Sequence, residues 1–267
     1  MQQATPQTIA HQLDADLASV EDRISHFLSP DDGTVAALLA SADQLAKADA
    51  LEASHLKGRI HALTGDRRQV DYWFANARRL RDDWRADFNH ASCLLSLGYF
   101  SDAAALTVCL RTIDHRSLAM TAGLATAVFD LAGAQEACEV LHCAGIEPNG
   151  VDPKFAKNAL KVLSDFDVPT ENVRAALDVV GEILRENRLW WLGRYPKLFA
   201  HHSSEDFGIL YELLIGVSIE ESIRLTNECL ERLHDRSLLL AGFGFSFIGV
   251  GPRGKEKEHQ LRLRRVQ

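Results

Sequence analysis

A short break between two helical runs recurs along the first half of this chain at nearly constant spacing. Glycines mark the breaks at Gly33, Gly65, Gly98 and Gly133, which are 32, 33 and 35 residues apart. Glycine suits such a break because a helix commonly ends in a left-handed residue that other side chains resist. Neither helix of a pair can bury its apolar stripe alone, so this spacing predicts helical hairpins that stack on one another.

A fifth hairpin is predicted further along the chain. Its break lies near Asp167, 34 residues after Gly133, where Pro169 and Thr170 supply the turn and the start of the next helix. Pro and Thr are residues that favour the beginning of a helix. We therefore expect a mainly α chain in which residues 1–188 form an α-solenoid of about five helical hairpins.

The period and two of its segments resemble a tetratricopeptide repeat (TPR) array. The segments are "LKGRIHALTGD" and "LLSLGYFSDA", and the resemblance covers roughly residues 50–145, more loosely 7–187. Gly58 matches the family glycine, whereas His61 stands where the family has tyrosine and Ala91 stands at the glycine position of the next unit. The resemblance implies an array whose first helices line an inner, concave surface that binds a peptide or a partner helix.

The TPR register places five polar side chains on that inner surface. In the same register the third unit contributes Met120 and Leu124, so the groove is expected to be basic and polar at one end and apolar at the other. A second interpretation of the "ARRLRDDWR" run, from Ala77 to Arg85, is a solvated helix face with local Arg–Asp pairs. The predicted partner-binding residues are His55, Arg59, Arg85, Asn89 and Ser92.

The pattern changes to a small α+β module at about residue 189. Two apolar and aromatic runs flank the polar break "HHSSED", which predicts two strands of a hairpin. Ser218 and Glu221 then have the spacing of a capping box, so a helix is predicted to begin there. A last strand follows, which gives the order strand-strand-helix-strand over residues 189–252 and leaves 253–267 as a basic tail that we expect to be flexible.

The last helix and the last strand are expected to bury their apolar faces against each other. The strand lies in "AGFGFSFIGVG", where period-two alternation places Phe243, Phe245 and Phe247 on one face and leaves the glycine face bare. The helix residues predicted to pack against these rings are Ile219, Ile223, Thr226, Leu230 and Leu233.

The glycine-rich stretch does not match a phosphate-binding loop. Gly242 and Gly244 fit the dinucleotide fingerprint, but Phe247 occupies its third glycine position and no helix follows. Without a helix N-terminus there is no row of free N–H groups to hold a phosphate. We therefore expect no nucleotide cofactor.

No pattern typical of a catalytic or metal site occurs elsewhere. Cys138 and His142 lie four residues apart, and His201 and His202 are adjacent, but neither pair has a second ligand pair at zinc-site spacing. Nucleophile motifs such as G-x-S-x-G and H-E-x-x-H are missing from the sequence. We expect no catalytic residues, no cofactor and no bound metal.

Charge and cysteine content favour an intracellular binding protein. The net charge is −8, and because residues 253–267 carry +4, the remainder carries −12, which argues against a general nucleic-acid surface. Five cysteines without a CxxC pair indicate free thiols in a reducing compartment. The N-terminus lacks the apolar region of a signal peptide, so we expect a soluble, cytoplasmic protein without a membrane partner.

These observations favour a non-catalytic interaction or adaptor module. The partner is expected to be a protein or peptide, with an acidic segment as one option, and self-association into a homo-oligomer is left open. The alternative is a small-molecule sensor or an enzyme accessory subunit that uses the C-terminal module. That alternative depends on the aromatic residues Trp190, Trp191, Tyr195 and Phe199 beside His201 and His202.

Overall fold

A computed structural model describes residues 5–110, 115–148, 152–202 and 207–251. Its helices and strands confirm a mainly α chain in which residues 191–249 follow the order strand-strand-helix-strand. The elements are α1 (Pro6–Glu21), α2 (Gly33–Ala46), α3 (Ala50–Ala62), α4 (Arg67–Leu80), α5 (Trp84–Ser96), α6 (Phe100–Thr107), α7 (His115–Ala127), α8 (Leu131–Cys143), α9 (Pro153–Asp165), α10 (Thr170–Glu186), β1 (Trp191–His202), β2 (Phe207–Ile215), α11 (Ile219–Asp235) and β3 (Phe243–Gly249).

Three of the predicted helix breaks are confirmed. Gly65 has φ +77° between α3 and α4, and Gly98 has φ +74° between α5 and α6. Asp167 ends α9 with φ 54°, and α10 begins at Thr170 as expected. At each of these positions the backbone enters the left-handed region, which stops the preceding helix.

A helix break is also present next to Gly33 and Gly133, but neither glycine lies in it as predicted. Gly33 is the first residue of α2, after the N-cap Asp32, and Gly133 lies inside α8. The left-handed residue between α7 and α8 is Phe129, with φ 57°. Its fully buried ring lies within 6.2 Å of the Phe155, Tyr211 and Phe243 rings, so side-chain burial stabilises a conformation that glycine adopts elsewhere.

The described helices pack partly in sequence order and partly across the chain. Helix α3 contacts α1, α2, α4 and α5, and α7 contacts α8, whereas α10 returns to α6. Where α10 meets α6, a Cβ at Gly181 would lie 1.8 Å from the Gly98 carbonyl oxygen, so the backbones approach too closely for any side chain at position 181. Near α1, the Phe27 N–H donates to the Arg188 carbonyl at 2.8 Å. These long-range contacts join distant parts of the chain, and the solenoid arrangement stays a prediction.

The three strands form one sheet in the order β1-β2-β3. Strand β1 is antiparallel to β2, and β3 is parallel to β2 with α11 as the connection. One sheet face is buried against the helices, and there the Tyr211 hydroxyl donates to the Ala127 carbonyl at 2.9 Å. Phe245 and Phe247 are buried on this face, and Phe243 packs against the same core, which confirms their shared side.

The opposite sheet face points away from the helices. Leu210 and Phe199 are exposed on it, and a Cβ at Gly244 would meet only the Leu210 side chain and the Ile209 carbonyl, at 3.5 Å and 3.7 Å. Gly242 lies before β3 with φ +71°, where a Cβ would come within 2.4 Å of the Phe166 ring. The bare face predicted from the glycines is therefore confirmed for Gly244, whereas Gly242 is a turn residue.

The predicted buried face of α11 is wrong in part. Ser222, Leu225, Cys229 and Leu233 are the buried residues of this helix, so only Leu233 of the predicted face is fully buried. The Thr226 hydroxyl accepts a hydrogen bond from the Phe247 N–H at 3.0 Å. The other three residues of that face, Ile219, Ile223 and Leu230, are exposed.

The largest described core runs through both predicted domains. It contains Leu95 of α5 and Leu177 of α10 together with Tyr211, Leu225 and Phe247 of the C-terminal segment. A second core joins α1 to α4 and includes Trp190. The division into residues 1–188 and 189–252 stays a prediction, and the tail 253–267 lies outside the described residues.

Candidate functional site

Helices α1, α3 and α5 bring the predicted partner-binding residues together. Helix α3 contacts both α1 and α5. Each of α3 and α5 begins at an aspartate whose side chain accepts a backbone N–H of the first turn, Asp49 from Glu52 and Asp83 from Arg85. Side chains three and four residues apart then share one side of each helix. We call the following set the polar face: Asp14, Glu21, Glu52, His55, Arg59, Arg85, Asn89 and Ser92.

Arg59 is neutralised within the polar face. Its Nη1 donates to Asp14, and its Nη2 lies 3.1 Å and 3.2 Å from the two carboxylate oxygens of Glu21. Burial raises the pKa of the Glu21 carboxyl, and the adjacent guanidinium opposes that effect. Because two carboxylates hold one guanidinium, Arg59 ties α3 to α1 and has little capacity for a further anion.

Arg85 is held less completely. Its Nε and its Nη2 each lie 2.9 Å from Asp83 Oδ2, whereas its Nη1 lies 3.9 Å from Glu52, which is beyond hydrogen-bond distance. The Arg85 side chain is 41% exposed, compared with 23% for Arg59. Of these two arginines, Arg85 therefore has the guanidinium edge that an incoming carboxylate can reach.

Asn89 and His55 form a hydrogen-bonded pair between α5 and α3. Asn89 Nδ2 lies 3.0 Å from His55 Nδ1, so the amide donates and the imidazole is neutral with its proton on Nε2. That Nε2 is buried and has no hydrogen-bond partner among the described residues. Burial, and secondarily the Arg85 charge, lowers the pKa of His55 to about 4. Asn89 is half-buried, and its side-chain oxygen makes no hydrogen bond to the described residues.

Ser92 is also on the polar face, but its hydroxyl bonds within its own helix. Ser92 Oγ donates to the Phe88 carbonyl at 2.8 Å. It lies one turn beyond Asn89, where the oxygen can still accept one hydrogen bond. The five predicted residues thus lie on two neighbouring helices, with His55 in the interior and Arg85 and Asn89 nearer the solvent.

The predicted apolar end of the groove is not open. Leu124 is fully buried, and the Tyr195 hydroxyl of β1 lies 3.5 Å from the Met120 carbonyl. A Cβ at Gly123 would come within 2.9 Å of the Tyr195 ring, so β1 lies directly on α7. The expectation that Met120 and Leu124 form the apolar end of a groove is therefore wrong for Leu124, which is buried, and β1 of the same chain lies on α7 at Gly123.

The arginine-rich run forms local pairs, as its second interpretation predicted. Arg78 Nε donates to Asp87 at 2.6 Å, and Asp83 accepts from both Arg81 and Arg85. A further contact was missed from the sequence: His90 Nε2 lies 2.8 Å from Asp71 of α4. The i, i+4 charge rule does not find it, because the two residues are on different helices.

The aromatic residues of the alternative ligand site lie apart from one another. Trp190 packs in the core around α1 to α4, whereas Trp191 packs in the larger core. Tyr195 contacts α7, and Phe199 is 43% exposed on the outer sheet face. His201 is exposed beside it, and the side chain of His202 lies outside the described part of the chain.

Two open clefts lie away from the polar face. One, of about 550 Å³, is bordered by α6, α8 and α10 and lined in part by Asp130 and Arg174. The other, of about 490 Å³, contains Cys138 and His142 with Lys157. Within residues 5–110, 115–148, 152–202 and 207–251, no group of three or more His, Cys, Asp or Glu side chains is arranged to hold a metal ion.

Comparisons with known proteins assign no relative to this arrangement. No protein-family model matches the chain, and neither the curated proteins nor the solved structures give a match. In the part of the chain that the structure describes, no helix is both long and apolar enough to cross a membrane.

Proposed function

We propose that this chain is a non-catalytic interaction module whose polar face binds a segment of a partner protein. The observation that carries the proposal is the pairing of Arg85 and Asn89 on one side of α5. Arg85 Nη1 has only a 3.9 Å contact to Glu52, and the Asn89 amide is oriented by His55 at 3.0 Å. The TPR-like arrangement and a cytoplasmic location belong to the same proposal.

A carboxylate at Arg85 and a backbone amide at Asn89 would complete this site. The guanidinium can donate to a carboxylate with charge-assisted hydrogen bonds. The Asn89 carbonyl oxygen, one helical turn further on, can accept a peptide N–H. A side chain fixed by packing and hydrogen bonds loses less freedom on binding than a mobile one, which favours Asn89 for this role.

The acidic residues of the polar face restrict the partner. Asp14, Glu21, Glu52 and Asp83 all lie close to the two arginines. A partner with many negative charges would be repelled by these carboxylates, so the proposed ligand is a peptide with one carboxylate at Arg85. The same carboxylates disfavour a nucleic-acid backbone at this face.

Site-specific photocrosslinking tests the proposal. A photoreactive amino acid at position 92 would capture the bound segment in cells, and mass spectrometry would identify it. We expect Arg85→Ala and Asn89→Ala each to reduce capture about tenfold or more, since each removes a hydrogen-bonding group from the site. Arg79→Ala is the matched control. It removes an exposed arginine of α4, a helix that contributes no residue to the polar face, and it should not reduce capture.

One result of the crosslinking experiment would contradict the proposal. Unchanged capture with Arg85→Ala and Asn89→Ala, in variants that retain the wild-type unfolding midpoint, would exclude the polar face as the binding surface. Arg59→Ala is unsuitable as a probe, because loss of its ion pairs with Asp14 and Glu21 would also loosen α1.

A further inference from the structure

Helix α11 carries an exposed apolar stripe along one side. Ile219 is 64% exposed, Ile223 is 55% exposed and Leu230 is 39% exposed, with half-buried Thr226 between them. We call these four residues the α11 stripe. Exposed apolar side chains are common singly, but a row of them along one helix indicates a contact surface.

The spacing of the α11 stripe is that of a helix–helix seam. Its members are separated by four, three and four residues, which is the alternation of core positions in a two-helix coiled coil. The residues that α11 uses for its own fold, such as Leu225 and Cys229, lie on a different side of the helix. Ile219, Ile223 and Leu230 are therefore additional to the packing of α11 in this chain, whereas Thr226 also accepts the Phe247 N–H of β3.

The charges beside the stripe show which partner fits it. One flank of the stripe is formed by the residues that come directly after the stripe residues and after Leu233, which continues their spacing. They are Glu220, Arg224, Asn227, Glu231 and His234. Read from the N-terminus, their order is acidic, basic, neutral, acidic, basic. Read in the opposite direction, Glu231 comes opposite Arg224, and His234 comes opposite Glu220, whose carboxylate can accept a hydrogen bond from the imidazole. In antiparallel helix pairs equivalent flanks meet, and charges on these flanks set partner choice and orientation.

We propose that the α11 stripe is the contact surface for a second copy of this chain, with the two α11 helices antiparallel. Asn227 lies near the twofold axis, Ile223 packs against the partner's Leu230, and Glu220 faces the partner's His234. Arg224, which already pairs with Glu221 and Glu228, also faces the partner's Glu231. By symmetry each contact occurs twice.

A parallel pair would fit less well. It would bring the charged flank opposite the other flank of the partner helix, which holds Ser222 and Cys229, both buried in their own fold, and offers no charge to pair with. It would also align the two helix dipoles, whereas the antiparallel pair opposes them. A single helix pair is small compared with the surface of a stable dimer, so the expected association is weak and depends on concentration.

Analytical ultracentrifugation of the full chain over a range of concentrations tests the proposal. The weight-average mass should rise from 29.6 kDa towards twice that value as concentration increases. Ile223→Glu should increase the dissociation constant about tenfold or more, because it places a charge in the apolar seam. Val140→Glu, on an exposed apolar residue of α8, is the control and should leave association unchanged.

Two outcomes would overturn the proposal. A wild-type chain that stays monomeric at all concentrations would show that the α11 stripe is not a contact surface between copies of this chain. Equal dissociation constants for the wild type and a folded Ile223→Glu variant would show that self-association uses another surface.

Charge exchange and crosslinking test the orientation. Glu220→Lys should weaken association, and the double variant Glu220→Lys/His234→Glu should restore it, because the pair is re-formed with reversed charges. In a background with Cys109→Ser and Cys143→Ser, Asn227→Cys should form an intermolecular disulfide and Glu220→Cys should not, since antiparallel helices separate the two copies of residue 220. Crosslinking at both positions, or failure of the double variant to recover, would contradict the antiparallel arrangement.

Discussion

The α3–α4 and α7–α8 hairpins make the same kind of turn from different residues. In both, one left-handed residue ends the first helix and an aspartate caps the second. The residues are Gly65 and Asp66 in the first hairpin, and Phe129 and Asp130 in the second. Glycine adopts a positive φ readily, whereas for phenylalanine it costs roughly 1–2 kcal/mol.

The difference shows two ways of stabilising one backbone bend. The Gly65 turn depends on the freedom of its own backbone, and Asp66 caps only the Gln69 N–H. The Phe129 turn depends on the rest of the fold, because its ring is fully buried and Asp130 also accepts the Thr107 hydroxyl at 3.0 Å. The first turn is therefore local, and the second is coupled to distant elements.

The largest effect is expected from Phe129→Ala. Alanine keeps the positive φ and its strain, so the variant removes only the buried ring. We expect a loss of about 3–5 kcal/mol in the free energy of unfolding, measured by urea denaturation. Phe199→Ala, on a ring that is 43% exposed, should cost less than about 1 kcal/mol.

A second substitution at the same position separates strain from burial. Phe129→Gly relieves the strain at φ 57°, so it should be less destabilising than Phe129→Ala by about 0.5–1 kcal/mol. If Phe129→Ala costs no more than Phe199→Ala, the α7–α8 turn is as local as the α3–α4 turn and the contrast between them is lost.

The next largest effect is a pH dependence in the α3–α4 hairpin. His55 is only 2% exposed and contacts Phe74 edge-on, and burial lowers its pKa from 6.5 to about 4. Because the folded-state pKa is lowered, the unfolded chain binds the proton more strongly. The stabilising effect is present above pH 6.5 and is lost as pH falls towards 4, at a cost of about 2–3 kcal/mol.

The difference between wild type and His55→Gln measures that contribution. The free energy of unfolding should fall less steeply between pH 6.5 and 4 in the variant, whereas the exposed His11→Gln control should follow the wild type. The half-buried His61 and the buried His90, whose pKa values are also lowered by burial, are present in both proteins, so their contributions cancel in the difference. Parallel profiles for wild type and His55→Gln would exclude a buried neutral His55.

Sequence pattern predicted the turns that local chemistry determines. Gly65, Gly98 and Asp167 were found because a helix stop depends on the residues beside it. Phe129 was missed because its conformation depends on rings such as Phe155 and Tyr211, which are distant in sequence. Helix-period counting cannot recognise a stabilising contact of that kind.

On two other surfaces, sequence pattern also failed to predict contacts between residues that are distant in the chain. Helix α11 has two candidate apolar sides, and periodicity alone does not decide which one meets the sheet, so three of the five residues predicted to be buried are exposed. On the polar face, the repeat register placed Arg59 beside Arg85 on neighbouring helices. The register does not include the acidic residues of α1, and Asp14 and Glu21 neutralise Arg59.

The smallest expected effect is that of Gly65→Ala. The substitution places a Cβ at φ +77° and 3.2 Å from the Phe27 ring, which must shift by a few tenths of an ångström. We expect a loss of about 1–2 kcal/mol in the free energy of unfolding. Gly33→Ala is the matched control, because nothing lies within 4 Å of its added Cβ and alanine favours a helix. A Gly65→Ala variant as stable as Gly33→Ala would mean that the α3–α4 turn tolerates a side chain, and backbone freedom would no longer distinguish it from the turn at Phe129.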